Sequence, residues 1–108
     1  MIEAQPFDVV ELLYPIPAED LPAGIQGTLV HQYDSNTFET EFINELGETI
    51  ALCPLKRKQF IVVWQASTEQ AVPVSEQVAQ VVALLPQPAG TEVLNYARYL
   101  STKSAIAI

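Results

Sequence analysis

His31 and Cys53 each occur once in this chain, and both side-chain types can carry chemistry. An imidazole titrates near neutral pH and serves as a general base or metal ligand. A thiolate is a nucleophile wherever its pKa is depressed. With one of each, a His/Cys metal cluster is out of reach, and no serine or cysteine pairs with His31 at sequence level. His31 falls on the same strand face as Leu29 and Tyr33, so a surface or satisfied imidazole is the preferred reading. Cys53 precedes Pro54 and has no C-x-x-C partner, which reads as a buried, inert thiol. Glu39 and Glu41 lie two residues apart on one strand face, the spacing of paired carboxylates for acid–base work. Acids on a solvated strand are the commoner case.

Three further groupings fit a structural role as well as a chemical one. Lys56-Arg57-Lys58 is the one basic cluster of an acidic segment, either docking an acidic partner or balancing the acids of neighbouring strands, and the second is preferred. Gly24-x-x-Gly27 is not a phosphate loop, because no Lys-Ser/Thr follows it and a strand rather than a helix comes next. Turn glycines with positive φ are expected there instead. Tyr14, Tyr33 and Trp64 are the aromatics that would line a groove for proline-rich peptides, although Trp64 equally suits anchoring the following linker.

Hydrophobic residues make up 49% of the 108 and charged ones 17%, so a folded chain with one core is expected. Net charge is −8, and residues 1–65 carry ten acids against three bases. Such a segment repels phosphate backbones, so no nucleic-acid binding is expected of it. Met1-Ile2-Glu3-Ala4 lacks the basic start of a signal peptide, and no stretch approaches the ~20 apolar residues of a membrane span. A single cysteine suits a reducing compartment. The expectation is a soluble cytoplasmic protein with no cofactor, no metal and no membrane contact.

Five apolar runs separated by turn residues occupy the first two-thirds. Residues 7–13 read as the first strand, ended by Tyr14-Pro15-Ile16-Pro17 and a long loop to Gly24. Residues 27–33 and 37–43 flank the Asp34-Ser35-Asn36 hairpin, and Phe38, Thr40 and Phe42 alternate with Glu39 and Glu41. Residues 48–53 follow the Asn44-Glu45-Leu46-Gly47 turn, with Ile50 and Leu52 expected inward. After a helical turn at 54–59, Phe60-Ile61-Val62-Val63-Trp64 is apolar on both faces, so something must cover its outer side. The tail is the natural cover, from this chain or a second copy. Residues 66–73 read as a linker. A helix over 75–85 carries Val74, Val78, Val81, Val82 and Leu85 at helical spacing, and Pro86-Gln87-Pro88 stops it. A second, over 89–101, puts Val93, Tyr96, Ala97 and Leu100 on one face. The fold class is therefore mainly β with an α tail: a five-stranded SH3-like barrel (1–65), then an αα-hairpin with an apolar end (74–108).

Two resemblances accompany this reading. Phe7-Asp8-Val9-Val10, Ile16-Pro17 with Leu21, Gly24-x-x-Gly27-Thr28, Phe38-x-x-Glu41-Phe42 and Gly47-Glu48-Thr49 resemble a family of small bacterial domains of unknown function over residues 5–64. That resemblance implies an SH3-like barrel and no activity. Leu84-Leu85-Pro86 with Glu92-Val93-Leu94-x-x-Ala97-x-x-Leu100 resembles, over 74–103, short two-helix bacterial proteins described as antitoxins of toxin–antitoxin pairs.

Together these imply a non-enzymatic protein-interaction or regulatory module, antitoxin-like in kind. It would bind a protein partner or itself through Val78, Val81, Val82, Leu85, Val93, Tyr96, Leu100, Ile106 and Ile108, as a homodimer or larger oligomer. One alternative is a small enzyme or ligand-binding protein using a barrel cleft near Tyr14, His31 and Tyr33. Another is a structural subunit of a larger assembly.

Overall fold

Val9 and Val10 begin the strand around which the sheet is built. A computed structural model describes residues 2–106. β1 (Val9–Leu12), β2 (Gln26–Asp34), β3 (Thr37–Ile43), β4 (Thr49–Lys56), β5 (Phe60–Gln65) and β6 (Gln70–Ala71) precede two helices, α1 (Val74–Leu84) and α2 (Gln87–Ile106). The strands form one antiparallel sheet in the order β4-β3-β2-β1-β5-β6. Among the described residues there are six strands rather than five, and the ladder is not closed. The extra strand lies within the segment read as a linker: Gln70 and Ala71 pair with Gln65 and Trp64, and Val72 is buried in the core.

Both hairpin turns form as their residue types imply. Asp34 Oδ1 accepts from the Asn36 N–H at 2.8 Å, and Asn44 Oδ1 accepts from the N–H groups of Leu46 (2.9 Å) and Glu48 (3.0 Å). In the β1–β2 loop a single 3-10 turn, Pro17–Glu19, is followed by Gly24 at φ +91, and the Gly24 N–H bonds back to Leu12 O.

The core lies on one face of the sheet, from Val10, Leu12, Leu29, Phe38, Phe42, Leu55, Phe60 and Val62. Phe38 on β3 meets the Phe60 ring on β5 edge-on, centroids 5.8 Å apart. Strands three places apart in a flat sheet are separated by about 14 Å, so the sheet curls around its core. On β4 the expected faces are reversed. Ile50 and Leu52 are exposed, while Ala51, Cys53 and Leu55 point inward. The ladder dictates this, because Phe42 faces Ala51, Thr40 faces Cys53 and Phe38 faces Leu55, and directly opposed residues share a face.

Asp8 is buried and ties the N-terminal segment to the β5–β6 turn. Its Oδ2 accepts from Gln5 N–H (3.0 Å) and its Oδ1 from Ala66 N–H (2.9 Å). The helices differ from expectation mainly in α2, which starts at Gln87 and extends to Ile106. Pro88 is its second residue, where a missing N–H costs nothing, so the proline that was expected to separate the helices instead helps begin one.

Candidate interaction surface on the C-terminal helices

The outer edge of β5 needs hydrogen-bond partners past the two residues covered by β6. Gln80 of α1 supplies them. Its Nε2 donates to Val62 O (2.8 Å), and its Oε1 accepts from Val62 N–H (2.7 Å) and from Arg57 Nη2 (2.9 Å). The side-chain amide thus offers the donor and acceptor that a seventh strand would have offered. Only 1% of Gln80 is exposed. Gln77, one turn earlier, donates to Val72 O at 2.9 Å. Phe60, Ile61 and Val62 are all buried, so α1 of the same chain provides the cover expected for β5.

Arg57 completes this joint. It donates to Phe60 O (2.8 Å), to Ile2 O (3.3 Å) and to Gln80 Oε1, and its guanidinium lies 5.0 Å from the Phe60 ring centroid. Burial draws its pKa below the ordinary value. Its hydrogen bonds go to neutral acceptors, so the expectation that the basic cluster balances neighbouring acids does not describe Arg57. Lys56 Nζ likewise donates to a hydroxyl, Thr37 Oγ1, at 2.8 Å.

Because α1 docks through Gln77 and Gln80, its valine stripe faces sideways. Val74 and Val78 are exposed; Val81, Val82 and Leu85 are half-buried. α2 then leaves the body: Ala89, Gly90 and Val93 are half-buried near the elbow, and Gly90 packs toward Val82. From Leu94 to Ala105 the helix is exposed on all sides, with Leu94 49%, Tyr96 64%, Tyr99 58% and Leu100 41% accessible. The molecule measures 47 Å along its long axis against 29 and 27 Å across. Ile106 is the last described residue and is helical, and Ile108 lies outside the described residues.

The outward face of β2 and β3 carries His31, Tyr33, Glu39 and Glu41. Tyr33 donates to Glu39 Oε2 at 2.7 Å, and His31 meets the Tyr33 ring edge-on at 4.8 Å. Glu41 accepts from Thr49 Oγ1 at 2.8 Å. Each acid therefore serves a cross-strand hydrogen bond. The bond to Glu39 raises the Tyr33 pKa above its ordinary 10.0. The phenol is favoured in the folded chain, so this contact stabilises fully below pH 10.0 and is lost as pH rises through the raised folded value. A tyrosinate absorbance titration should show a component above pH 10 that Glu39→Gln moves back toward the ordinary range; a titration unchanged by Glu39→Gln would refute the contact.

Tyr14 is not brought to His31 and Tyr33. Glu11 faces Gln26 in the β1–β2 ladder, which places Tyr14 past one end of β2 and Tyr33 near the other. None of four surface depressions found among the described residues is lined by Tyr14, His31 or Tyr33. One, about 520 Å³, is lined by Val9, Val63, Trp64, Ala71 and Gln77, so Trp64 borders the β6–α1 segment. Cys53 is buried, and desolvation, with the charges of Glu19 and Glu39 adding, pushes its thiol pKa up, which disfavours the reactive thiolate. Among the described residues no group of three or more His, Cys, Asp or Glu side chains is placed to hold a metal ion, and no helix is long and apolar enough to cross a membrane.

The family model of the Domain of unknown function (DUF4926) matches residues 7–62. The chain belongs to the DUF4926 family. The DUF4926 match covers β1 through the first half of β5 and ends at Val62, the residue clasped by Gln80. β6, α1 and α2 lie beyond it. Neither a curated protein nor a solved structure matches the chain.

Gln80, Arg57 and Asp8 make buried and part-buried hydrogen bonds that patterning did not foresee. For Gln80 the available signal was indirect: a polar residue amid helical valines, downstream of a strand whose edge lacked a partner.

Proposed function

We propose that this DUF4926 protein is a non-enzymatic interaction module, in which the sheet holds α1 rigidly and α2 projects as the docking arm. One observation carries this reading: Leu94, Tyr96, Tyr99 and Leu100 remain exposed along a helix that buries little against its own chain. Isolated helices are marginal in water, and apolar helix faces persist by packing on something. Taking the sheet as an SH3-like barrel draws support from the order β5-β1-β2-β3-β4, the 3-10 turn Arg57–Gln59 between the last two barrel strands and the Phe38–Phe60 contact across the curl. A partner of the toxin–antitoxin kind fits a compact body with one amphipathic helical arm.

Ending the chain after Leu85 tests the reading. The shortened protein keeps Gln80, Arg57 and the whole sheet, so its melting temperature should stay within about 3 °C of the full chain, since little beyond the half-buried elbow contacts of Ala89, Gly90 and Val93 is lost. It should lose every association the full chain makes, self-association in light scattering and recovery of bound protein from source-cell extracts alike. Associations that survive the truncation would place the docking surface elsewhere and defeat the proposal.

A further inference from the structure

We infer that the α2 arm pairs with α2 of a second copy of this chain, antiparallel, about a two-fold axis near Ala97 and Arg98. The inference rests on α2 being the docking arm and adds the identity of what it docks with. Glu92, Tyr96, Tyr99 and Lys103 follow one another at intervals of four, three and four residues, so they form one stripe along the helix. Beside it run Val93, Ala97 and Leu100, giving an apolar seam at the spacing that packed helix pairs use. Glu92 and Lys103 are both exposed, and about three turns (~16 Å) separate them on the same side of the helix. They stand at opposite ends of the seam with opposite charge. In a parallel pair each Glu92 would lie level with the other copy's Glu92 and each Lys103 level with Lys103, so no Glu92 would reach a Lys103. Only the antiparallel pair sets each Glu92 against the other copy's Lys103, twice over, the self-complementarity that a two-fold interface requires.

The distribution of charge over the whole chain points to the same place. Before residue 93 there are thirteen acids against three bases; after it there is no acid and two bases, Arg98 and Lys103. Two copies repel through most of their surface and do not repel along the distal part of α2. Arg98 is held away from the stripe by its bond to Asn95 Oδ1 (3.1 Å). Four turns of helix make a contact at the low end of specific interfaces, so dissociation constants of about 1–100 μM are expected.

Sedimentation equilibrium over that concentration range tests the inference on the full chain. The wild type should shift from monomer to dimer, and Leu100→Glu should stay monomeric while circular dichroism shows its helix content kept. Glu92→Lys and Lys103→Glu should each weaken the dimer about ten-fold, since either change creates two like-charge contacts. The double variant should return to within about three-fold of wild type. A wild type that stays monomeric, a dimer indifferent to Leu100→Glu, or a double variant no better than either single change would overturn the pairing. A monomeric full chain whose other associations vanish on truncation after Leu85 would leave the docking arm standing and remove only the second copy. A dimer persisting after truncation would remove both.

Discussion

Gln80→Ala should cost about 3–5 kcal/mol and release α1 from the sheet. Three groups bond to that one amide: Val62 N–H, Val62 C=O and the Arg57 guanidinium. Each buried polar group left without a partner costs about 1–3 kcal/mol, and the three costs overlap because one opening would hydrate them together. Gln80→Leu separates hydrogen bonding from volume. Leucine fills the space but leaves both Val62 groups bare and takes one of Arg57's three acceptors, so it should rescue no more than about 1 kcal/mol. Trp64 is the single tryptophan and lines the depression beside Gln77, so its emission reports whether α1 stays in place. Denaturant unfolding supplies the energy, and red-shifted emission in the native baseline supplies the detachment. A loss below 1 kcal/mol with unshifted emission would mean that apolar packing alone seats the helix.

The same joint decides what α2 can do. A projecting helix is useful as an arm only if its base is fixed, and α1 is fixed by directional bonds from Gln80 and Gln77 rather than by its valines. This is why the apolar stripe of α1 could be read from the sequence while its docking face could not. Spacing identifies where Val74, Val78 and Val82 lie relative to one another. What β5 lacked was a donor and an acceptor at Val62, and helical periodicity carries no record of that need. The contrast repeats in the sheet. On β3 the alternation of Phe38, Thr40 and Phe42 with two glutamates fixes the inward face unaided. On β4, Ile50 and Leu52 outrank Ala51 and Cys53 in hydrophobicity, and the pairing with β3 overrides them. The turns were legible because Asp34, Asn36, Asn44 and Gly47 act locally. That α2 is left exposed was not legible, since the pattern marks an apolar face without saying whether this chain covers it.

Gly27→Ala should destabilise the fold by about 2–3 kcal/mol, through a contact that positive φ does not explain. Gly24 does take the left-handed conformation, whereas Gly27 sits in β2 opposite Val10. A Cβ at Gly27 would lie 2.7 Å from Phe42 Cε1, 2.8 Å from Phe42 Cδ1 and 3.0 Å from Glu41 O. Phe42 is fully buried on the neighbouring strand, so its ring cannot swing into solvent to make room. The restricted backbone of alanine returns about 0.5–1 kcal/mol in a strand, less than the overlap costs. Glycine at this point lets the Phe42 ring lie across β2, where a flatter sheet would have held it away. Phe42→Leu trims the obstructing ring, so its loss and that of Gly27→Ala should not add: the double variant should be at least 1 kcal/mol more stable than the sum of the singles implies. Strict additivity in that cycle would show that the glycine serves the β2 backbone and not the Phe42 ring.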